Sequence, residues 1–140
     1  ILLVTACGGV LRYVLQYSGL GDLIGNAVAS INMPIVVVAF VVAALVRICV
    51  GSSTVAMTMA AGIIAAMPGI ADLSPLYLAC TVAAVAGGAT VCSHFNDSGF
   101  WLVSSLLEID EKTTLKSWTM METIIGFTGL ICAIVISLFA

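Results

Sequence analysis

Long apolar runs broken by short polar clusters set the pattern of this chain, and two of the breaks fall inside otherwise apolar stretches. The first run, Pro34 to Val50, is almost unbroken, with Arg47 near its far end, and Gly51, Ser52, Ser53 and Thr54 follow it. Val55 to Met67 is apolar again, until Pro68-Gly69 stops it. As helices these two runs measure roughly 25 Å and 20 Å, short of the ~30 Å of a bilayer core. Two short helices around a small polar tip predict a re-entrant hairpin over residues 34–67 in preference to two full spans, with two ordinary short helices joined by a surface turn as the alternative. Leu76 to Cys92 is a third apolar run, rich in Ala and Gly. The cluster Ser93, His94, Asn96, Asp97 and Ser98 follows, and Phe100 to Leu107 resumes the apolar pattern. Residues 75–107 therefore read as one span with a polar interruption, a broken helix, in which Gly87, Gly88 and Gly99 let the backbone unwind and approach its neighbours.

The remaining segments are simpler. Residues 1–17 read as the end of a membrane helix, with Gly8-Gly9 as a close-packing face and Arg12 placed to snorkel toward an interface. Over residues 20–31, Leu20, Leu23, Ile24, Ala27, Val28 and Ile31 share one helical face, and Asp22, Asn26, Ser30 and Asn32 take the other, which predicts a short interfacial helix. Pro34 suits a helix start, as does Ser74-Pro75, with serine as cap and proline in first position. Glu108 to Lys116 is the one charge run and reads as a solvated loop or short surface helix. Residues 117–140 form the last span, with Trp118 as an interfacial anchor. Glu122 lies about one turn inside, and the sequence leaves open whether it is interfacial or faces a polar interior.

Composition turns this pattern into a class. The chain is 62% hydrophobic and 8% charged, with 4 Lys+Arg and 7 Asp+Glu, and its mean hydropathy is +1.27. A soluble domain of this size needs a far more charged surface, so the class is all-α integral membrane. No basic stripe offers itself to nucleic acid. The chain opens at Ile1 within an apolar stretch, without the basic leader of a signal peptide, so a preceding part of a longer protein is expected. The cysteines Cys7, Cys49, Cys80, Cys92 and Cys132 stand apart in apolar context and read as small buried hydrophobes. With a single histidine they form no metal-ligand cluster, so neither a metal nor another cofactor is expected.

Discontinuous helices bring half-helix ends to membrane depth, where N-terminal ends favour anions and carbonyl ends favour cations. Gly51, Ser52, Ser53 and Thr54, ahead of a helix N-terminus, fit an anion site; capping of that helix by the same hydroxyls is compatible with it. Ser93, Asn96 and Ser98 suit a hydroxylated ligand. Asp97 is the carboxylate of its break and a candidate proton carrier, with a cap on the following half-helix as its other use. His94 is a second candidate, histidine being the side-chain type that switches charge around physiological pH, unless it is simply a paired polar group. No nucleophile with an oriented base is apparent, so an enzyme is not expected. A passive facilitator would carry the same polar groups without answering to a proton gradient.

Four strings carry a resemblance across nearly the whole chain: Ala6-Cys-Gly-Gly-Val-Leu-Arg12 with Ser18-Gly-Leu-Gly-Asp22, Arg47-Ile-Cys-Val-Gly-Ser-Ser-Thr-Val-Ala56, Ser93-His-Phe-Asn-Asp-Ser-Gly-Phe-Trp101 and Thr114-Leu-Lys-Ser-Trp-Thr-Met-Met-Glu-Thr-Ile124. Together they resemble the C-terminal part of the gluconate:proton symporter family, the third and fourth most specifically. The resemblance implies a multi-pass transporter of the bacterial inner membrane carrying sugar acids, with D-serine carried by some members. It also implies a second inverted repeat, with a re-entrant hairpin and a broken helix, that needs the N-terminal repeat of the same protein and assembles as a homodimer. On that pattern Gly51 to Thr54 match the hairpin tip and Ser93 to Ser98 the break, so substrate, coupling proton and lipid bilayer are the implied partners.

Overall fold

The computed structural model describes Val14, Tyr17, Ser18 and residues 33–140, and all regular structure among them is helical. Apart from those three residues, the expected helix end at 1–17 and the interfacial helix at 20–31 lie outside the described residues.

Helix α1, Ile35–Val50, follows Pro34, and α2, Ser53–Ala65, follows after only Gly51 and Ser52. A 3-10 turn at Ile70–Asp72 leads to α3, Pro75–Gly88. The start of α3 follows its sequence signals: Ser74 Oγ accepts from Tyr77 N–H at 3.1 Å, with proline at the first helical position. After an irregular stretch comes α4, Ser98–Leu106. Helix α5, Glu111–Ser137, is one 27-residue element containing a π-helical turn at Leu115–Thr119.

Length separates α5 from the rest. At 1.5 Å per residue it reaches about 40 Å, enough to cross a bilayer, and it is apolar enough to do so. Ile124, Ile125, Phe127, Ile131 and Val135 stay exposed along it, as expected of a helix that faces lipid or another protein rather than a water-soluble core. The arrangement is all-α and of membrane type. Helix α5 begins at Glu111, six residues ahead of the last span expected at 117. Glu111 in the first turn complements the helix dipole, and Glu111, Lys112 and Lys116 all project outward. The charge run therefore extends the helix instead of ending it.

Small residues bring these helices together. Helix α3 packs on α1 along one side and on α5 along the other, while α2 packs mainly on α1. The core is Val36, Ala39, Phe40 and Ala43 of α1, Ala56, Ala60 and Ile64 of α2, Cys80, Ala84 and Val85 of α3, and Ala133 of α5. Alanine and glycine let backbones approach, which replaces the hydrophobic drive that lipid removes. Gly88 is the extreme case: a Cβ there would lie 2.2 Å from the Phe40 carbonyl oxygen. Among the cysteines, Cys80 is buried as expected and Cys92 is half-buried, but Cys49 and Cys132 are exposed on this chain because they fall on outward faces of α1 and α5.

Candidate functional site

The C-terminus of α1 forms the first half of the site. Gly51 takes a left-handed backbone, φ 77°, and its N–H bonds the Arg47 carbonyl at 2.8 Å. This is the ordinary glycine stop of a helix. Arg47, in the last turn, folds its guanidinium back onto the same turn, and Nη1 donates to the Gly51 carbonyl at 2.5 Å. A cation at the carbonyl end of a helix is favourably placed against the dipole. Ser52 caps α2 by accepting from Val55 N–H at 3.4 Å.

The second half is the unwound stretch between α3 and α4. Cys92 has φ 53°, rare outside glycine. Its N–H is satisfied by Thr123 Oγ1 of α5 at 3.2 Å. Asp97 then caps α4, with Oδ1 accepting from Gly99 N–H at 2.9 Å. The anion sits at the amino end of its helix, as the dipole requires.

The two halves close on one another. Arg47 Nη2 donates to Asp97 Oδ2 at 2.5 Å, with both residues buried, 2% and 7% exposed. Ser93 Oγ also donates to Asp97 Oδ2. Asn96 Nδ2 donates to the Ile48 carbonyl at 2.8 Å. Gly51 lies so close beneath Asn96 that a Cβ would come within 2.2 Å of its carbonyl oxygen. A buried arginine left alone would be costly; paired and hydrogen-bonded, it is tolerated. Its Nε and the Nδ1 of His94 are buried without a hydrogen-bond partner.

Helix α5 supports the break from behind. Trp118 Nε1 donates to Ser93 Oγ at 3.0 Å, and Thr119 Oγ1 donates to the Ser93 carbonyl. Ser93, with no exposed surface, therefore ties Asp97 to α5. Trp118, read from sequence as an interfacial anchor, also joins this polar network, because its indole N–H needs an acceptor once half-buried. Both residues lie in the π-helical turn, a distortion often found at functional sites. Phe95, Phe100 and Trp101 wrap the outer side of the break, with ring centroids 5.3 to 6.1 Å apart, and Trp101 Nε1 holds the Phe95 carbonyl at 2.8 Å.

The nine residues singled out from sequence thus divide into two groups. Gly51, Ser93 and Asp97 are buried and join the halves together. Thr54, Asn96 and Ser98 are exposed, and Ser52, Ser53 and His94 half-exposed, on the surface the junction presents, Asn96 also bonding across it to the Ile48 carbonyl. Arg47, Trp118 and Thr119 were missed. Arg47 carried a signal, being the one cation in an apolar helix with a lone acid in the next break. Away from this junction, an apolar cleft of about 400 Å³ lies between α4 and α5, lined by Val103, Leu106, Leu107, Ser117, Trp118 and Met121. It offers a hydroxylated anion almost no hydrogen-bonding partner.

A family model described as GntP family permease matches residues 1–139. The chain is 45% identical over 137 residues to a low-affinity gluconate transporter of Escherichia coli (strain K12), covering 96% of this chain and 30% of that protein. It is 37% identical over 139 residues to a gluconate permease of Pseudomonas aeruginosa, covering 99% of this chain and 30% of the relative. An inner membrane permease, YgbN, of Escherichia coli (strain K12) is 36% identical over 129 residues, 92% of this chain and 28% of that protein. The chain thus spans under a third of the length of these relatives. No solved structure matches it.

Proposed function

The chain belongs to the GntP permease family, and we propose that it forms part of a proton-coupled symporter of gluconate or a related sugar acid in the bacterial inner membrane. Its relatives, a gluconate transporter and a gluconate permease, supply the substrate class. The observation that carries the site is the buried Arg47–Asp97 pair, which joins the end of one short helix to the start of another. Charges at this depth mark transport pathways and their couplings.

In this reading residues 34–67 are a re-entrant hairpin, 75–107 a broken helix and 117–140 the core of the last span. Together they form the second inverted repeat of a multi-pass transporter. Facing half-helix ends supply what an anion and a coupling ion each need. Thr54, Ser53 and Ser52 with the amino end of α2 receive the carboxylate; Asn96, Ser98 and His94 face the hydroxyls. Gly51, Ser93 and Asp97 hold that surface in shape. The N-terminal repeat of the same protein completes the site, and two copies assemble as a homodimer. Neither cofactor nor catalytic group enters the reaction, which is translocation.

The test is uptake by the full-length protein in sodium-free proteoliposomes. Labelled gluconate and labelled D-serine are offered with and without an inward proton gradient. Gradient-stimulated accumulation of gluconate is the expected outcome. Stimulated uptake of D-serine alone would replace the substrate, and equilibration indifferent to the gradient would make the protein a facilitator.

A further inference from the structure

We infer that Glu122, rather than Asp97, carries the coupling proton, a conclusion that rests on the proton-symport reading above. Asp97 is already committed to holding the junction. Its Oδ2 accepts from Arg47 and Ser93, and its Oδ1 accepts from Gly99 N–H. A proton on that carboxyl would cancel the charge these donors surround and leave the Arg47 guanidinium buried without its counter-ion. The same bonds hold the hairpin tip to the break, so a protonation cycle at Asp97 would undo the site once in every turnover.

Glu122 is placed differently. It shares a face of α5 with Trp118, Thr119, Thr123 and Gly126, the spacing that keeps side chains on one stripe of a helix. Each of those four residues touches the break or the end of α3: Trp118 and Thr119 bond Ser93, Thr123 bonds Cys92, and Gly126 lies against Gly87 and Val91. Glu122 is half-buried among them and makes no hydrogen bond or ion pair with the described residues. It lies within electrostatic reach of both Arg47 of α1 and Asp97 of the break.

The other titratable groups of the neighbouring elements are few. Cys92 and His94 flank Ser93 on the break, and Cys49 is exposed on α1. On α3 the titratable residues are Tyr77 and Cys80. They sit toward the opposite end from Gly87, which meets Gly126, so they lie far along α5 from Glu122. Glu122 is thus the uncommitted acid beside a neutral ion pair, open enough to exchange a proton and close enough for its charge to act on the site. Protonation there changes the charge beside Arg47 and Asp97 without breaking the bond between them.

The experiment compares two activities of the full-length protein in proteoliposomes with labelled gluconate. Exchange of internal for external gluconate needs no net proton movement; accumulation driven by a proton gradient does. Glu122→Gln is expected to retain exchange and to lose gradient-driven accumulation. Glu122→Asp is expected to keep accumulation, with its pH profile displaced to lower pH, since aspartate is the stronger acid. Accumulation at the parental level in Glu122→Gln overturns the inference. So does loss of exchange and accumulation together, which would make Glu122 a packing or substrate-contact residue. An unshifted pH profile in Glu122→Asp overturns it as well, even if the glutamine variant fails to reconstitute. Absence of gradient-stimulated uptake in the parent is a separate result and defeats the symport reading itself.

Discussion

Arg47 and Asp97 meet through a 2.5 Å contact between Nη2 and Oδ2, fifty residues apart in the chain and both shielded from solvent. Each also answers the helix end on which it sits, the arginine at the carbonyl end of α1 and the aspartate at the amino end of α4.

Removing either partner leaves the other charge buried alone. Arg47→Met or Asp97→Asn is expected to cost about 3–5 kcal/mol, whereas replacing both by apolar residues of similar size recovers most of that loss. Melting in detergent of the full-length single and double variants is the measurement. The double variant should regain thermal stability yet remain inactive in uptake. A loss in the double variant equal to the sum of the two single losses would mean that the pair contributes nothing as a pair.

Gly51 and Gly69 offer an internal comparison. Both have positive φ, 77° and 79°, so alanine strains the backbone at either by about 1 kcal/mol. Only at Gly51 does the new Cβ collide, at 2.2 Å from the Asn96 carbonyl; at Gly69 nothing lies within 4 Å. Gly69→Ala should therefore reach the membrane and transport, and Gly51→Ala should not transport. Parallel expression and uptake assays would show whether the direct contact of tip and break matters.

Gly126 tests the packing of α5 on α3. A Cβ there would lie 2.4 Å from Val91 Cγ1 and 2.6 Å from the Gly87 carbonyl oxygen. Gly126→Ala should cost about 1–3 kcal/mol, the usual range for overpacking. Adding Val91→Ala should recover part of it, because the valine methyl is the closer obstacle. A melting series of the two singles and the double decides this.

Ser93→Ala removes the hydroxyl shared by Asp97 and Trp118. The expected loss is about 1–3 kcal/mol, since buried groups are left unsatisfied. In a background where every other tryptophan, Trp101 included, is replaced by Phe, the emission of Trp118 should shift when its acceptor is gone. Unchanged emission would mean that the indole is not held by Ser93.

Thr54→Val and Ser98→Ala touch exposed hydroxyls on the proposed substrate surface. Their stability should not change, while KM for gluconate should rise roughly three- to tenfold, the worth of one hydrogen bond. Unaltered KM in both would move the substrate away from this surface.

Much of this arrangement was legible in the sequence, for definite reasons. Proline, glycine and hydroxyl residues mark helix ends through local chemistry, so the bounds near Pro34, Gly51, Ser74 and Ser98 could be read directly. The polar stretch from Ser93 to Ser98 stood out because its flanks are so apolar. Pairing was not legible. Nothing local to Arg47 points to Asp97, and snorkelling to an interface would have been an equally sound reading of a cation near a helix end. Trp118 and Thr119 were hidden for a related reason. The helical spacing that locates a face assumes a regular helix, and the π turn at Leu115–Thr119 shifts that spacing where these residues begin to engage Ser93.

The closed ion pair also has a consequence for how voltage acts on the protein. A charge crossing a membrane potential exchanges about 2.3 kcal/mol with it per 100 mV. Arg47 and Asp97, moving together, carry no net charge through that field. A symporter of the kind proposed, built on such a neutral junction, would feel the potential through its cargo and its coupling proton. One gluconate anion with one proton would then move without current, so uptake at that stoichiometry should follow the pH difference and ignore the voltage.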